Sequence, residues 1–178
     1  MADNNGKLRV ALIGIGHDHA WGKAQAIRRS ADMELVGAFE PDAAEWGRQQ
    51  ARGFFTDVLP LSEVDVFNDK AIPVVFIETV PRDNLRWARR ALEYGKHVHL
   101  DKAPSPSLND LRAVLSLANE RSLHVQMGYQ FRYNPAIELG LKALRGGWLG
   151  KVSRINVDIP THIGGYADVR ARDGLYAG

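Results

Sequence analysis

The chain has 178 residues, enough for one well-buried domain with something left over, and its 45% hydrophobic and 25% charged residues are the proportions of an ordinary soluble globular protein. Lysine plus arginine number 23 against 21 for aspartate plus glutamate, and a net charge of +2 carries no electrostatic footprint for nucleic acid or an anionic membrane surface. There is no cysteine, which excludes disulfides and thiolate metal sites. The opening Met-Ala-Asp-Asn-Asn-Gly lacks the basic and apolar regions of a secretory leader, and no apolar run approaches the roughly 20 residues that span a bilayer, so a cytoplasmic protein is expected.

An apolar run from Leu8 to Ile13 ends abruptly in Gly14-Ile15-Gly16, and a polar segment and a helix over 20–29 follow. A second apolar strand covers 34–40 and ends in an acid, Glu40, with a helix from Pro41 to about 52. Phe54-Phe55-Thr56-Asp57 reads as a short third strand, and 72–79 as the next strong one. A helix over 81–94 closes at Gly95, a suitable C′ residue. A short strand over 97–102 leads through Pro104 and Pro106 to a helix over about 107–121, whose Ser107 and Asp110 resemble a capping box. A last strand is expected over 124–131. Strand and helix thus alternate from 8 to 131, which argues for an α/β domain over 1–131, a doubly wound parallel sheet covered by helices on both faces.

From residue 132 the character changes. A helix over 135–144 stops at Gly146-Gly147, and 151–161 alternates apolar and polar residues as a half-buried antiparallel strand does. The stretch 164–178 shows no clear periodicity. Residues 132–178 therefore read as the beginning of a second α/β domain with an antiparallel sheet.

Strand, glycine turn and helix N-terminus in that order form a phosphate-binding corner. Gly14 permits the tight turn, Gly16 lets the backbone approach a pyrophosphate, and the helix start supplies free N–H groups and the positive end of a dipole. The third glycine of G-x-G-x-x-G is replaced by His19, which implies a different helix approach. His17 and His19 fall at that helix start, placed to donate to a pyrophosphate. Glu40, 26 residues after Gly14, is placed to accept from ribose hydroxyls and to repel a 2′-phosphate, favouring NAD over NADP; the plainer reading beside it is a solvated strand-end acid or a contribution to the next helix's N-terminus. His97 and His99 share a strand face and could in principle chelate, but no cysteine and no helical His-x-x-x-His supports them, so no metal is expected. The four tryptophans read as packing residues.

Three further stretches align in order with this corner: Phe76-Ile77-Glu78-Thr79-Val80-Pro81, ahead of the helix ending Ala91-Leu92-Glu93-Tyr94-Gly95-Lys96; Asp101-Lys102-Ala103-Pro104; and Gly128-Tyr129-Gln130-Phe131-Arg132-Tyr133-Asn134-Pro135. With Leu149-Gly150-Lys151-Val152 they resemble the Gfo/Idh/MocA family, which includes glucose–fructose oxidoreductase and inositol dehydrogenase.

That resemblance implies a Rossmann domain followed by an α/β domain with a large open antiparallel sheet, and an NAD(P)-dependent oxidoreductase exchanging hydride with a secondary alcohol of a sugar or polyol. The cofactor implied is NAD, with NADP as the second option. Lys102 matches the lysine of the family's Glu-Lys-Pro motif, near the nicotinamide and the substrate hydroxyl, and is the implied proton-handling group; without the resemblance it reads as a solvent-facing strand-end lysine. Asp101 stands for the usual glutamate with a shorter arm toward the cofactor ribose. Thr79 and Pro81 belong to the turn that the family packs against the cofactor, and Asn84 occupies a position where relatives often carry histidine. Tyr129, Gln130 and Arg132 fall where nicotinamide and substrate would meet; Arg132 either binds a substrate oxygen or ties the two domains together. Family members are longer, with an Asp and a His on a later helix, so the chain reads as a truncated member whose full-length form would be a homo-oligomer. A nucleotide-binding sensor without turnover and an NAD-dependent glycosidase are the alternatives.

Overall fold

The computed structural model describes residues 6–105 and 107–158. Two compact units divide between Met127 and Gly128. The first contains five strands, β1 (Leu8–Ile13), β2 (Met33–Phe39), β3 (Val74–Ile77), β4 (His97–Leu100) and β5 (Val125–Met127), and five helices, α1 (Asp18–Arg29), α2 (Ala43–Ala51), α3 (Glu63–Asn68), α4 (Pro81–Glu93) and α5 (Leu108–Glu120). The strands form one parallel sheet in the order β2-β1-β3-β4-β5. β1 is flanked by strands reached in opposite directions, which makes the gap between β1 and β3 the topological switch point, where open α/β sheets bind ligands.

Period-two alternation in the strands splits the core in two. Val10 and Leu12 face α1, whose Ala20, Ala24 and Ile27 pack against them with Phe55 and Val58. Ala11, Ile13, Val75, Ile77, Val98 and Leu100 face the other side, against Leu85, Ala88 and Leu92 of α4, Val114 and Ala118 of α5, and Val66 and Phe67 of α3. Each large aliphatic side chain fully buried this way contributes about 1.5–3 kcal/mol. The helix ends follow local chemistry. In α4, Lys96 N–H donates to Ala91 O (2.9 Å) and Gly95 N–H to Leu92 O (3.0 Å), a Schellman closure with Gly95 at φ +74°.

Several expectations are corrected. Residues 54–57 form a turn, not a strand: Phe55 sits at φ +55° with its ring buried against Trp21 and Trp46. A rudiment of strand lies further on, where Ala38 N–H donates to Leu59 O (2.9 Å) and Leu61 N–H to Ala38 O (2.8 Å), and Pro60 has no N–H with which to extend the ladder. α2 begins at Ala43 rather than Pro41, because the Asp42 side chain accepts from Ala44 N–H (3.0 Å) and caps it. α3 was not anticipated. β5 spans only Val125–Met127, and Gln130–Tyr133 is a 3-10 turn.

In the second unit α6 (Pro135–Arg145) is capped by Asn134, whose Oδ1 accepts from Ala136 N–H (3.0 Å). Residues 151–158 form no strand and are exposed, having no partner strand among the described residues. The rest of the expected antiparallel strand, and 164–178, lie outside the described residues. Among the described residues no helix is long and apolar enough to cross a membrane.

Candidate functional site

The C-terminal ends of β1, β2, β3 and β4 carry Gly14, Glu40, Glu78 and Asp101. Gly14 is held by N–H donation to Phe39 O (2.8 Å), at φ +90°. A Cβ built on it would lie 2.7 Å from Thr79 Cγ2 and 2.8 Å from Glu78 O, so the turn needs glycine for both conformation and space. A Cβ on Gly16 would meet the Glu45 carboxylate at 3.1 Å. α1 starts two residues later at the edge of the switch-point crevice, and His17 caps it, its Nδ1 accepting from His19 N–H (3.4 Å) and its carbonyl from Ala20 N–H (3.0 Å).

Glu40 is tied to this turn. Its Oε2 accepts from Ile15 N–H (2.6 Å) and its Oε1 from Asp42 N–H (2.9 Å). Burial raises its pKa above the usual carboxylate value, opposed by the backbone donors of Asp42, Ile15 and Gly16. A carboxylate has about four acceptor positions, so with these backbone donors in place a lone pair remains for a ribose hydroxyl. A glycine turn that excludes Cβ, a helix N-terminus and an acid at the end of β2 together fit the pyrophosphate and adenosine ribose of NAD.

Beside the turn, Thr79 Oγ1 donates to Asn84 Oδ1 (2.8 Å), and Asn84 Nδ2 donates to Ala103 O (3.3 Å). Asn84 is buried, and Pro81 opens α4 as its first residue. The amide therefore binds the β3–α4 turn to the loop that carries Lys102. Lys102 itself is exposed, next to buried Asp101, and a cis peptide joins it to Ala103.

His17 and His19 both turn toward Asp101. His19 Nδ1 donates to Asp101 Oδ2 at 2.8 Å, and His17 Nδ1 lies 3.3 Å from the same oxygen. Burial pushes the Asp101 carboxyl up, but the hydrogen bond and charge of His19, the charge of His17 and the N–H of Lys102 hold it below its usual value. Each ring thus has an anionic partner inside the chain.

Two groups of this site, Glu78 and Lys23, have no role assigned from the sequence. Glu78 is fully buried, and neither carboxyl oxygen has a hydrogen-bond partner among the described residues. Its nearest cation, Lys23 Nζ, stands 3.9 Å away, which is a charge contact rather than a hydrogen bond. Burial first, then the charge of Asp101, push the Glu78 carboxyl up to about 8, against the pull of Lys23. Lys23 donates instead to His99 Nε2, and His99 Nδ1 donates to Gln126 Oε1 (3.3 Å). Burial and the Lys23 charge bring His99 down to about 4, so it is a neutral acceptor. His97 is engaged elsewhere, accepting from His124 N–H (3.0 Å) and stacked on the His124 ring. His97 and His99 therefore take separate partners and do not form a chelating pair. The signal for Glu78 was present, an acid following an apolar strand, the same signal that singled out Glu40.

Tyr129, Gln130 and Arg132 lie in the second unit, exposed on and beside its 3-10 turn.

The family model of the Gfo/Idh/MocA proteins, described as an oxidoreductase family with an NAD-binding Rossmann fold, matches residues 8–129. The uncharacterized oxidoreductase YdgJ of Escherichia coli (strain K12) is 30% identical over 155 residues, 86% of this chain and 42% of that protein. The UDP-N-acetylglucosamine 3-dehydrogenase of Acidithiobacillus ferrooxidans is 27% identical over 135 residues, 74% of this chain and 40% of that protein. Apo scyllo-inositol dehydrogenase from Lactobacillus casei superposes with a TM-score of 0.69 at 18% identity, over 83% of this chain and 44% of that one, a likeness of fold. The chain spans between 29% and 42% of the length of the curated relatives it matches.

Proposed function

The chain belongs to the Gfo/Idh/MocA family of NAD-binding oxidoreductases, and from that premise we propose that it carries the cofactor-binding half of a dehydrogenase acting on a secondary alcohol of a sugar or polyol. The observation that carries this reading is the Gly14 turn, which has no room for a Cβ and is tied through Ile15 N–H to the carboxylate of Glu40.

In this reading Gly14, Ile15, Gly16 and the start of α1 hold the pyrophosphate, with His17 and His19 alongside. Glu40 accepts from the ribose hydroxyls and disfavours a 2′-phosphate, so NAD is preferred to NADP. Thr79 and Pro81 form the wall on which the cofactor lies, and Asn84 positions the loop of Asp101 and Lys102 against it. When bound, the nicotinamide supplies the hydride acceptor for the alcohol carbon. Removing a hydride from an alcohol requires the hydroxyl proton to leave, and Lys102 is the proposed group that takes it. Asp101 sits beside it as a fixed negative charge. Tyr129, Gln130 and Arg132, to which the family resemblance gives substrate and nicotinamide contacts, belong to the second unit. A sugar-ring alcohol is supported by the name of the relative that is a UDP-N-acetylglucosamine 3-dehydrogenase.

The test is to incubate the purified chain with NAD and a panel of sugars, sugar nucleotides and inositols, following reduced nicotinamide. The expected result is reduction with at least one member, abolished by Lys102→Met with NADH binding retained. Turnover unaffected by Lys102→Met would remove that residue from the chemistry. NADH binding with no reduction by any member would overturn the dehydrogenase reading of this chain.

A further inference from the structure

Four side chains from three separate segments converge beside the switch point: His17 and His19 at the start of α1, Glu78 after β3 and Asp101 after β4. One ligand atom from each lies within 4.8 Å of all the others. Two of the distances are already short, 2.8 Å from His19 Nδ1 and 3.3 Å from His17 Nδ1 to Asp101 Oδ2. Donors about 2.0–2.1 Å from a tetrahedral zinc ion stand roughly 3.4 Å apart, so the set needs only a modest contraction to close on one ion.

A second observation sets this cluster apart from a chance grouping. Glu78 has no exposed surface, and among the described residues neither of its carboxyl oxygens has a hydrogen-bond partner. A buried carboxyl whose oxygens make no hydrogen bond is costly even when protonated, and native structures rarely retain one unless something beyond the protein atoms completes it. Lys23, at 3.9 Å, is too far to do so and is directed at His99. The group beside Glu78 is Asp101, a second acid, and the nearby ring nitrogens of His17 and His19 are natural metal ligands. Two carboxylates and two imidazoles around one point call for a cation.

We propose that His17, His19, Glu78 and Asp101 form a binding site for one divalent transition-metal ion. The ligand set selects the class. Two imidazoles with two carboxylates and no thiolate suit zinc, cobalt or manganese, whereas calcium and magnesium prefer oxygen ligands alone. The site goes beyond the cofactor reading and does not rest on it: the clustering of the four side chains and the unpartnered Glu78 carry it, although His17, His19 and Asp101 also border the proposed cofactor position.

The experiment uses the full 178-residue chain, free of a polyhistidine tag, stripped with chelator and titrated with zinc by calorimetry in two buffers of different ionisation enthalpy, without nicotinamide cofactor. The expected result is saturable binding of one equivalent. Glu78→Gln, nearly isosteric, and His19→Ala, at a half-exposed helix start, are each expected to weaken binding by more than the roughly 100-fold typical of losing an outer partner. His124→Ala, away from the cluster, is expected to leave it unchanged. Cobalt loading should give the visible absorption of a bound, distorted site, lost in the same two variants. Absence of saturable zinc binding by the folded chain would overturn the proposal. So would binding that both cluster variants leave intact, or binding that His124→Ala removes. A separate NADH titration of the same samples reports on the cofactor reading, so the two can fail independently.

Discussion

Replacing Glu78 by glutamine should remove a pH dependence that this one side chain imposes on folding. Burial, reinforced by the charge of Asp101, raises its pKa from 4.5 to about 8. A group whose folded pKa is raised stabilises the fold fully below its unfolded pKa, and the contribution is lost as pH rises through the folded value. For Glu78 that window runs from 4.5 to about 8. His99 acts in the opposite sense. Burial and the Lys23 charge depress it from 6.5 to about 4, so its contribution is present above 6.5 and lost as pH falls toward 4. Between 4.5 and 6.5 the two slopes oppose each other, and from 6.5 to about 8 Glu78 titrates without that opposition. At about 1.4 kcal/mol per pH unit, the metal-free protein should lose about 2 kcal/mol of stability across that upper window. Urea unfolding followed by circular dichroism, in chelator, at several pH values from about 6.5 to 9 measures it. Any packing cost of the amide is independent of pH and shifts the whole Glu78→Gln curve, whereas the slope difference between the two proteins is due to the carboxyl. Parallel profiles for wild type and Glu78→Gln would refute the reasoning, since they would mean that the carboxyl does not change protonation over that range on folding.

Gly14→Ala places a methyl group within 2.8 Å of Glu78 O at φ +90°, and should cost at least about 2 kcal/mol by urea unfolding and abolish NADH binding. Asn84→Ala leaves the Thr79 hydroxyl and the Ala103 carbonyl without their partner; a loss of about 1–3 kcal/mol is expected in the same assay, with weaker NADH binding because the Lys102 loop is no longer tied to the β3–α4 turn. Phe55→Ala empties a fully buried site against Trp21 and Trp46 and should cost about 3–5 kcal/mol, with a change in tryptophan fluorescence that reports the lost ring contacts.

The parallel sheet was legible because its signals are local: β1 and β3 are apolar runs, each followed by a glycine or proline turn, and Gly95 closes α4 by a backbone conformation that glycine favours. The edge was not. Phe54-Phe55-Thr56 has strand composition, but Phe55 turns into the core against two tryptophans that are distant in sequence, and tertiary packing overrides the propensity. α3 escaped although its start was written in Ser62 and Asp65, which form a complete capping box, because six residues carry too little periodicity to stand out. The same division runs through the site. Gly14, Gly16 and Glu40 follow from a motif and its spacing. That His19 reaches Asp101, 82 positions away, or that Glu78 is buried with no donor while Glu40 has two, depends on which strands lie side by side.

Calorimetric titration of the chain with NADH and with NADPH, for wild type and Glu40→Ala, tests the central claim most directly. The account predicts saturable NADH binding, tighter than NADPH, with Glu40→Ala weakening NADH and narrowing the difference between the two, because the carboxylate fixed on Ile15 N–H is the group that reads the ribose. A folded chain that binds neither cofactor, or a Glu40→Ala variant with the wild-type affinities for both, would contradict it.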